Sequence, residues 1–252
     1  MKKTVSILLM LGLSVAFADQ KSDDELAAKR LEWAKSYLEQ EGLPVPDSGV
    51  KVIPEKQMSS YNETKERRIK AKKDIETLGY INESSPATER LLHLQITASH
   101  DLKAHANEIN PTSTHLKKSV AELKMAYSPT TVPSTAADEY IGAAPYLTYL
   151  QDRGWVGLIQ FFTNKNVGNC SYSENNLKLS HGAIVIAKED VRDDINGKVT
   201  TVEVVGTPEE GFTYSVEWFD NDFFKRVDCA NKKYSANLTN AVIDIAKAIA
   251  NG

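Results

Sequence analysis

Five acids, Glu203, Glu217, Asp220, Asp222 and Asp228, fall close together near the end of the chain. Two facing carboxylates can hydrolyse a glycosidic bond if their surroundings hold one protonated and the other ionised. Their neighbours point elsewhere. Glu203 sits between Val202 and Val204, and Glu217 between Val216 and Trp218. That alternation sends both acids to the solvent side of a sheet. "DND" at 220–222 reads as a turn, because Asp and Asn bond their own backbone, and the EF-hand spacing for calcium is missing. The two cysteines, Cys170 and Cys229, offer a second chemistry. A thiol nucleophile needs a base within reach, and His181 is the candidate, but "NCSY" has no glycine-rich oxyanion element. Zinc wants four Cys or His ligands. His93, His100, His105 and His115 are never three or four apart, the spacing that puts two ligands on one helix face. Serine-nucleophile, Walker and dinucleotide glycine patterns are absent. The sequence therefore assigns no catalytic residue, no metal and no cofactor.

The cysteines are better explained by the start of the chain. "MKKTVSILLMLGLSVAFADQ" has a basic n-region, a run of about a dozen apolar residues and the small-x-small triplet "AFA". Residues 1–18 read as a signal peptide cleaved after Ala18. The run is too short to span a bilayer, which takes ~20 residues. Export leads to an oxidising compartment, periplasmic or extracellular, where a lone pair of cysteines forms a disulfide, here Cys170–Cys229. Removing residues 1–18, which hold two lysines and no acid, leaves 234 residues and moves the formal charge from −4 to −6. A net acidic chain argues against nucleic acid as partner.

The elements that would position these groups divide at residue 128. Residues 19–128 read as helical. Ser22 and Glu25 form a capping box, a charged helix covers 58–78, a third starts at Ser85-Pro86, and "THLKKSVAELKMAY" aligns Leu116, Val120, Leu123 and Tyr127. Residues 129–145 read as a proline-bearing linker, with a short helix over 145–151. Residues 146–252 read as a disulfide-stapled antiparallel meander, with Asn196-Gly197 as a hairpin turn and a last helix capped by Asn237, its apolar stripe Leu238, Val242, Ile245 and Ile249. The fold class expected is α+β: an N-terminal helical hairpin or bundle, then an antiparallel β-meander with a C-terminal helix.

Two surfaces stand out for interaction. The basic run Lys65, Arg67, Arg68, Lys70, Lys72 and Lys73 suits an acidic partner or lipid headgroups, although Glu63, Glu66 and Asp74 can absorb its charge. Phe219 and Phe224 lie opposite the face that the last helix covers, by strand parity. The functional expectation is an exported, non-enzymatic binding or assembly protein of the envelope or extracellular space. The alternatives are a hydrolase of envelope polymers and an inhibitor of an exported enzyme. The partner is expected to be a protein or envelope component.

Overall fold

The computed structural model describes residues 49–58, 62–93, 119–150, 153–192, 194–220 and 222–252. The signal peptide, the first helix, His100, His105 and His115 lie outside the described residues. Strand, not helix, dominates what is described. In chain order the elements are β1 (Gly49–Ile53), α1 (Glu55–Met58), α2 (Asn62–Leu78), β2 (Ile81–Asn82), α3 (Pro86–Leu92), β3 (Glu139–Leu150), β4 (Gly154–Asn164), β5 (Gly168–Asn176), α4 (Leu177–Ser180), β6 (Ala183–Ala187), β7 (Thr200–Thr207), β8 (Gly211–Asp220), β9 (Phe223–Asn231) and α5 (Ala236–Asn251).

These strands overturn the expected fold class. Seven of them form one mixed sheet in the order β2-β7-β8-β9-β5-β4-β3, and β1 pairs in parallel with β6 in a small second sheet. The N-terminal half thus contributes a strand to each sheet, because β2 runs parallel to β7 through Ile81 and Asn82. A two-residue strand has no readable period, and "GVKVI" is short and bounded by Gly49 and Pro54, which mark loops in a sequence. The helix expected over 145–151 is the second half of β3, whose Pro145 is tolerated because β3 is an edge strand. The fourth helix also fails in its described part. Ser119 and Glu122 make their capping box, but only one 3-10 turn follows, Val120–Glu122. The chain then extends, with Met125 bridging Trp155. Burial of Val120 against Ala143 and Leu158 wins over helix continuation.

The large sheet consists of two meanders. β3-β4-β5 and β7-β8-β9 are each antiparallel neighbours in sequence. They join only where β5 meets β9, from Asn169–Ala230 to Asn176–Phe223. The disulfide Cys170–Cys229 links directly opposed residues of that seam across 59 positions of sequence. Strand β5 lies inside the sheet, between β9 and β4, although its Asn and Ser residues are turn formers. The Asn196-Gly197 turn forms as expected, with φ of 52° and 71° and Lys198 N–H donating to Ile195 O.

One sheet face carries the core. Tyr172, Tyr214, Val216, Trp218, Val227 and the disulfide pack under α5, which buries Val242, Ile245 and Ile249. Its N-cap is Ser235, whose Oγ accepts the Asn237 N–H, rather than Asn237 itself. The end of α2 docks on the same core. Tyr80 packs edge-on to Phe212, and Tyr234 Oη donates to Gly79 O at 2.9 Å. Gly79 has φ +83°, and a Cβ there would lie 2.0 Å from Tyr234 Oη, so only glycine fits this junction. Helix α3 lies on the opposite face, where Thr88 Oγ1 and Thr213 Oγ1 share a buried hydrogen bond of 2.7 Å and Asn169 Nδ2 donates to Leu91 O and Leu92 O.

Candidate functional site

The acids named from sequence do not gather into one site. Three of them share the α3 face, by strand register: Glu203 on β7, Glu217 on β8 and Asp228 on β9. Arg226 lies among them. Its Nε donates to both Asp228 oxygens at 2.8 and 2.7 Å, its Nη1 to Glu217 Oε1 at 2.8 Å and its Nη2 to Ser215 Oγ at 3.2 Å. Ser215 in turn donates to Asp228 Oδ1 at 2.5 Å, and Thr201 donates to Glu217 Oε2 at 3.1 Å. Burial alone would weaken the guanidinium's hold on its proton. Asp228 and Glu217 outweigh it, so Arg226 stays charged at any working pH. Glu217 and Asp228 are therefore locked by hydrogen bonds to a permanent cation.

Glu203 is the exception. Its side chain reaches solvent, yet crowding by its neighbours and then the Glu217 charge push its carboxyl above the ordinary 4.5, against the pull of Arg67 and Arg226. The linkage is signed. A raised folded pKa means that Glu203 favours the fold when protonated and loses that contribution as pH rises through the folded value. The Glu203→Gln variant is expected to melt above wild type at pH 7, with the gap closing below pH 4.5; thermal melts at stepped pH check this.

The other two acids are elsewhere. Asp220 is held by Lys198 at 3.0 Å and Lys225 at 3.5 Å, and Asp222 stands 3.9 Å from Lys178. Desolvation raises the Asp220 carboxyl, but the two lysines more than reverse this and hold it low. A hollow of about 320 Å³ lies along Val191, Arg192, Gly197, Lys198 and Val199, and none of the Arg226 group lines it.

The surfaces singled out for interaction are largely occupied from within. Arg68 pairs with Glu55 and Asp190, Lys72 with Glu55, Lys70 with Asp74 and Arg67 with Glu83. The Arg68 and Lys72 pairs fasten α2, which has no buried side chain among its described residues, to α1 and to the chain after β6, while Arg67 reaches Glu83 just past β2 and Lys70–Asp74 lies within the helix. Lys65 and Lys73 remain exposed. Phe219 and Phe224 pack against each other with rings tilted by 37° and are covered by Leu177 of α4 and Ile186 of β6. Of the histidines, His93 ends α3 and His181 follows α4 with φ 51°. Cys170 has no free thiol to offer His181.

A second polar group, on the α5 face, was missed in the sequence. Gln160 of β4 and Glu174 of β5 are wholly buried. They hold an extended strap, residues 127–133, that crosses the sheet without joining it. Gln160 Nε2 donates to Thr130 O at 2.7 Å, and Val132 N–H donates to Gln160 Oε1 at 3.2 Å. Thr130 N–H donates to Glu174 Oε1 at 3.0 Å, and Lys225 Nζ donates to Thr130 Oγ1 at 3.0 Å. Tyr172 Oη holds the other Glu174 oxygen at 2.6 Å. Burial, and then the nearby Glu174 carboxylate, push the Tyr127 hydroxyl up, and among the described residues no partner meets its Oη in full hydrogen-bonding geometry. The signal was present: Gln160 and Glu174 occupy inward positions of their strands, where a polar residue needs partners.

No family model, curated protein or solved structure matches this chain. Among the described residues, no group of three or more His, Cys, Asp or Glu could hold a metal ion, and no helix is long and apolar enough to cross a membrane.

Proposed function

We propose that the protein is an exported binding or assembly factor of the cell envelope or extracellular space, acting through its surfaces rather than by catalysis. The Arg226 group carries this reading. Carboxylates held by a fixed guanidinium and by hydroxyls form a rigid, pre-organised patch of both charges, which suits recognition of a polar partner surface. Every oxygen of Glu217 and Asp228 already accepts at least one hydrogen bond, which fixes both carboxylates in place. The Cys170–Cys229 disulfide fits an oxidising compartment.

A photo-crosslinking residue at Ser173, which the register places beside Arg226 on the same face, tests the proposal in the native envelope. The expected result is one discrete adduct, lost when Glu217 and Asp228 are replaced by lysine. Adduct formation that ignores those changes would remove the patch from recognition. One observation favours hydrolysis instead: Glu203 is biased toward its protonated form beside Glu217, the pattern of a proton donor next to a base. Turnover of an envelope polymer that vanishes in Glu203→Gln, with the fold intact, would replace the binding reading.

A further inference from the structure

The strap is held as a ligand is held. Among the described residues, no backbone–backbone hydrogen bond ties residues 127–132 to the sheet. Its main chain is bonded instead by two buried side chains. The Gln160 carboxamide spans a C=O and an N–H two residues apart, Thr130 O and Val132 N. Such a two-point grip reads an extended main chain, whatever side chains it bears. Glu174 takes the one further amide, that of Thr130.

The grip does not depend on the strap for its shape. Tyr172 Oη fixes Glu174 from the sheet side, and Gln160 Oε1 also receives Tyr140 Oη at 3.4 Å. Both are sheet residues, so the two side chains stay oriented with the strap gone. The strap is also built to fit. Pro129 and Pro133 flank "TTV" and supply no N–H, so few donors compete with the bonded ones. Proline also biases such a segment toward the extended form before it docks. Ser128 and Thr131 face solvent, and no residue of 128–133 is fully buried. A segment with no ladder bonds and no fully buried residue belongs to the part of a fold that opens most readily.

We propose that this groove is a peptide-binding site that the chain fills with its own residues 128–133, and that an extended, proline-flanked segment of a partner polypeptide takes it over by displacing the strap. The inference rests on the binding reading above and names the ligand class for it: a short segment of small or β-branched side chains with a free C=O and N–H two residues apart. The strap then acts as an internal competitor that sets the affinity for the partner.

The probe is the acetylated, amidated heptapeptide of residues 128–134, fluorescently labelled, with the full mature chain. Thr130→Pro removes the amide that Glu174 accepts and so weakens the strap without touching the groove. The heptapeptide is expected to bind Thr130→Pro at least tenfold more tightly than wild type, and to lose at least tenfold when Gln160→Ala is added. No binding to Thr130→Pro, or binding indifferent to Gln160→Ala, overturns the proposal. Hydrogen exchange on the unmodified protein supplies a second readout that needs no variant. The Thr130 and Val132 amides are expected to exchange at least a hundredfold faster than core amides of β8, and equal protection overturns the proposal as well. Failure of both leaves the crosslink at Ser173 unaffected, since that position lies on the other face, so the two readings fail separately.

Discussion

Replacing Cys170 and Cys229 together with alanine is expected to cost about 4 kcal/mol of unfolding free energy, the chain-entropy value for a closed loop of ~60 residues. Against a typical total of ~5–15 kcal/mol, that is enough to populate the unfolded chain measurably at 37 °C. The position of the bond makes the estimate reasonable. It joins register partners in the middle of the sheet, both fully buried, where the β5–β9 ladder already aligns the two chains. The alternative of a bond that distorts its surroundings would show as a smaller loss. Urea titrations of the oxidised protein, the reduced protein and the double variant check the value. Reduction and replacement should give the same midpoint, and a loss under about 1 kcal/mol would mean that the seam holds without its covalent link.

Arg226→Met is expected to cost about 3 kcal/mol at neutral pH, near the low end for a broken buried ion pair because a quarter of the Arg226 side chain reaches solvent. The cause would be the two carboxylates left behind. Without the guanidinium, Glu217 and Asp228 stand on a half-buried face with like charges and no cation between them. Adding Glu217→Gln and Asp228→Asn to Arg226→Met should recover most of the stability, since removing all the charges is far less costly than stranding two of them. A loss not recovered in the triple variant would show that Arg226 acts through packing of its stem.

What could be read from the chain before folding depended on the range of each signal. The NG turn, the stripe of α5 and the cysteine pair are local patterns, or have a single solution, and each appears as expected. Strand β5 is hard to read because its Asn and Ser residues are turn formers; only pairing with β4 and β9 makes it central. Strand β2 was invisible because its partner Val205 lies more than a hundred residues away and the element itself is two residues long. The Arg226 group failed differently. Alternation correctly sent Glu203 and Glu217 away from the α5 core, but it could not show that the same face brings Arg226 between Glu217 and Asp228. The linker reading of residues 129–145 came from prolines and small side chains, which are equally the composition of a strap seated on a sheet. Only the two buried acceptors beneath it, far along the chain, distinguish the cases.

The seam disulfide also sets how this chain bears load. If the molecule is pulled from its two ends, as an envelope protein anchored at one end and engaged at the other would be, tension reaches Cys170 and crosses directly to Cys229. The 59 residue steps between them, which include β6, β7 and β8, stay out of the extension. At ~3.4 Å per residue they represent about 200 Å of length that the oxidised chain cannot release. The bond thus makes half of the sheet mechanically silent, and a reducing environment would give that length back.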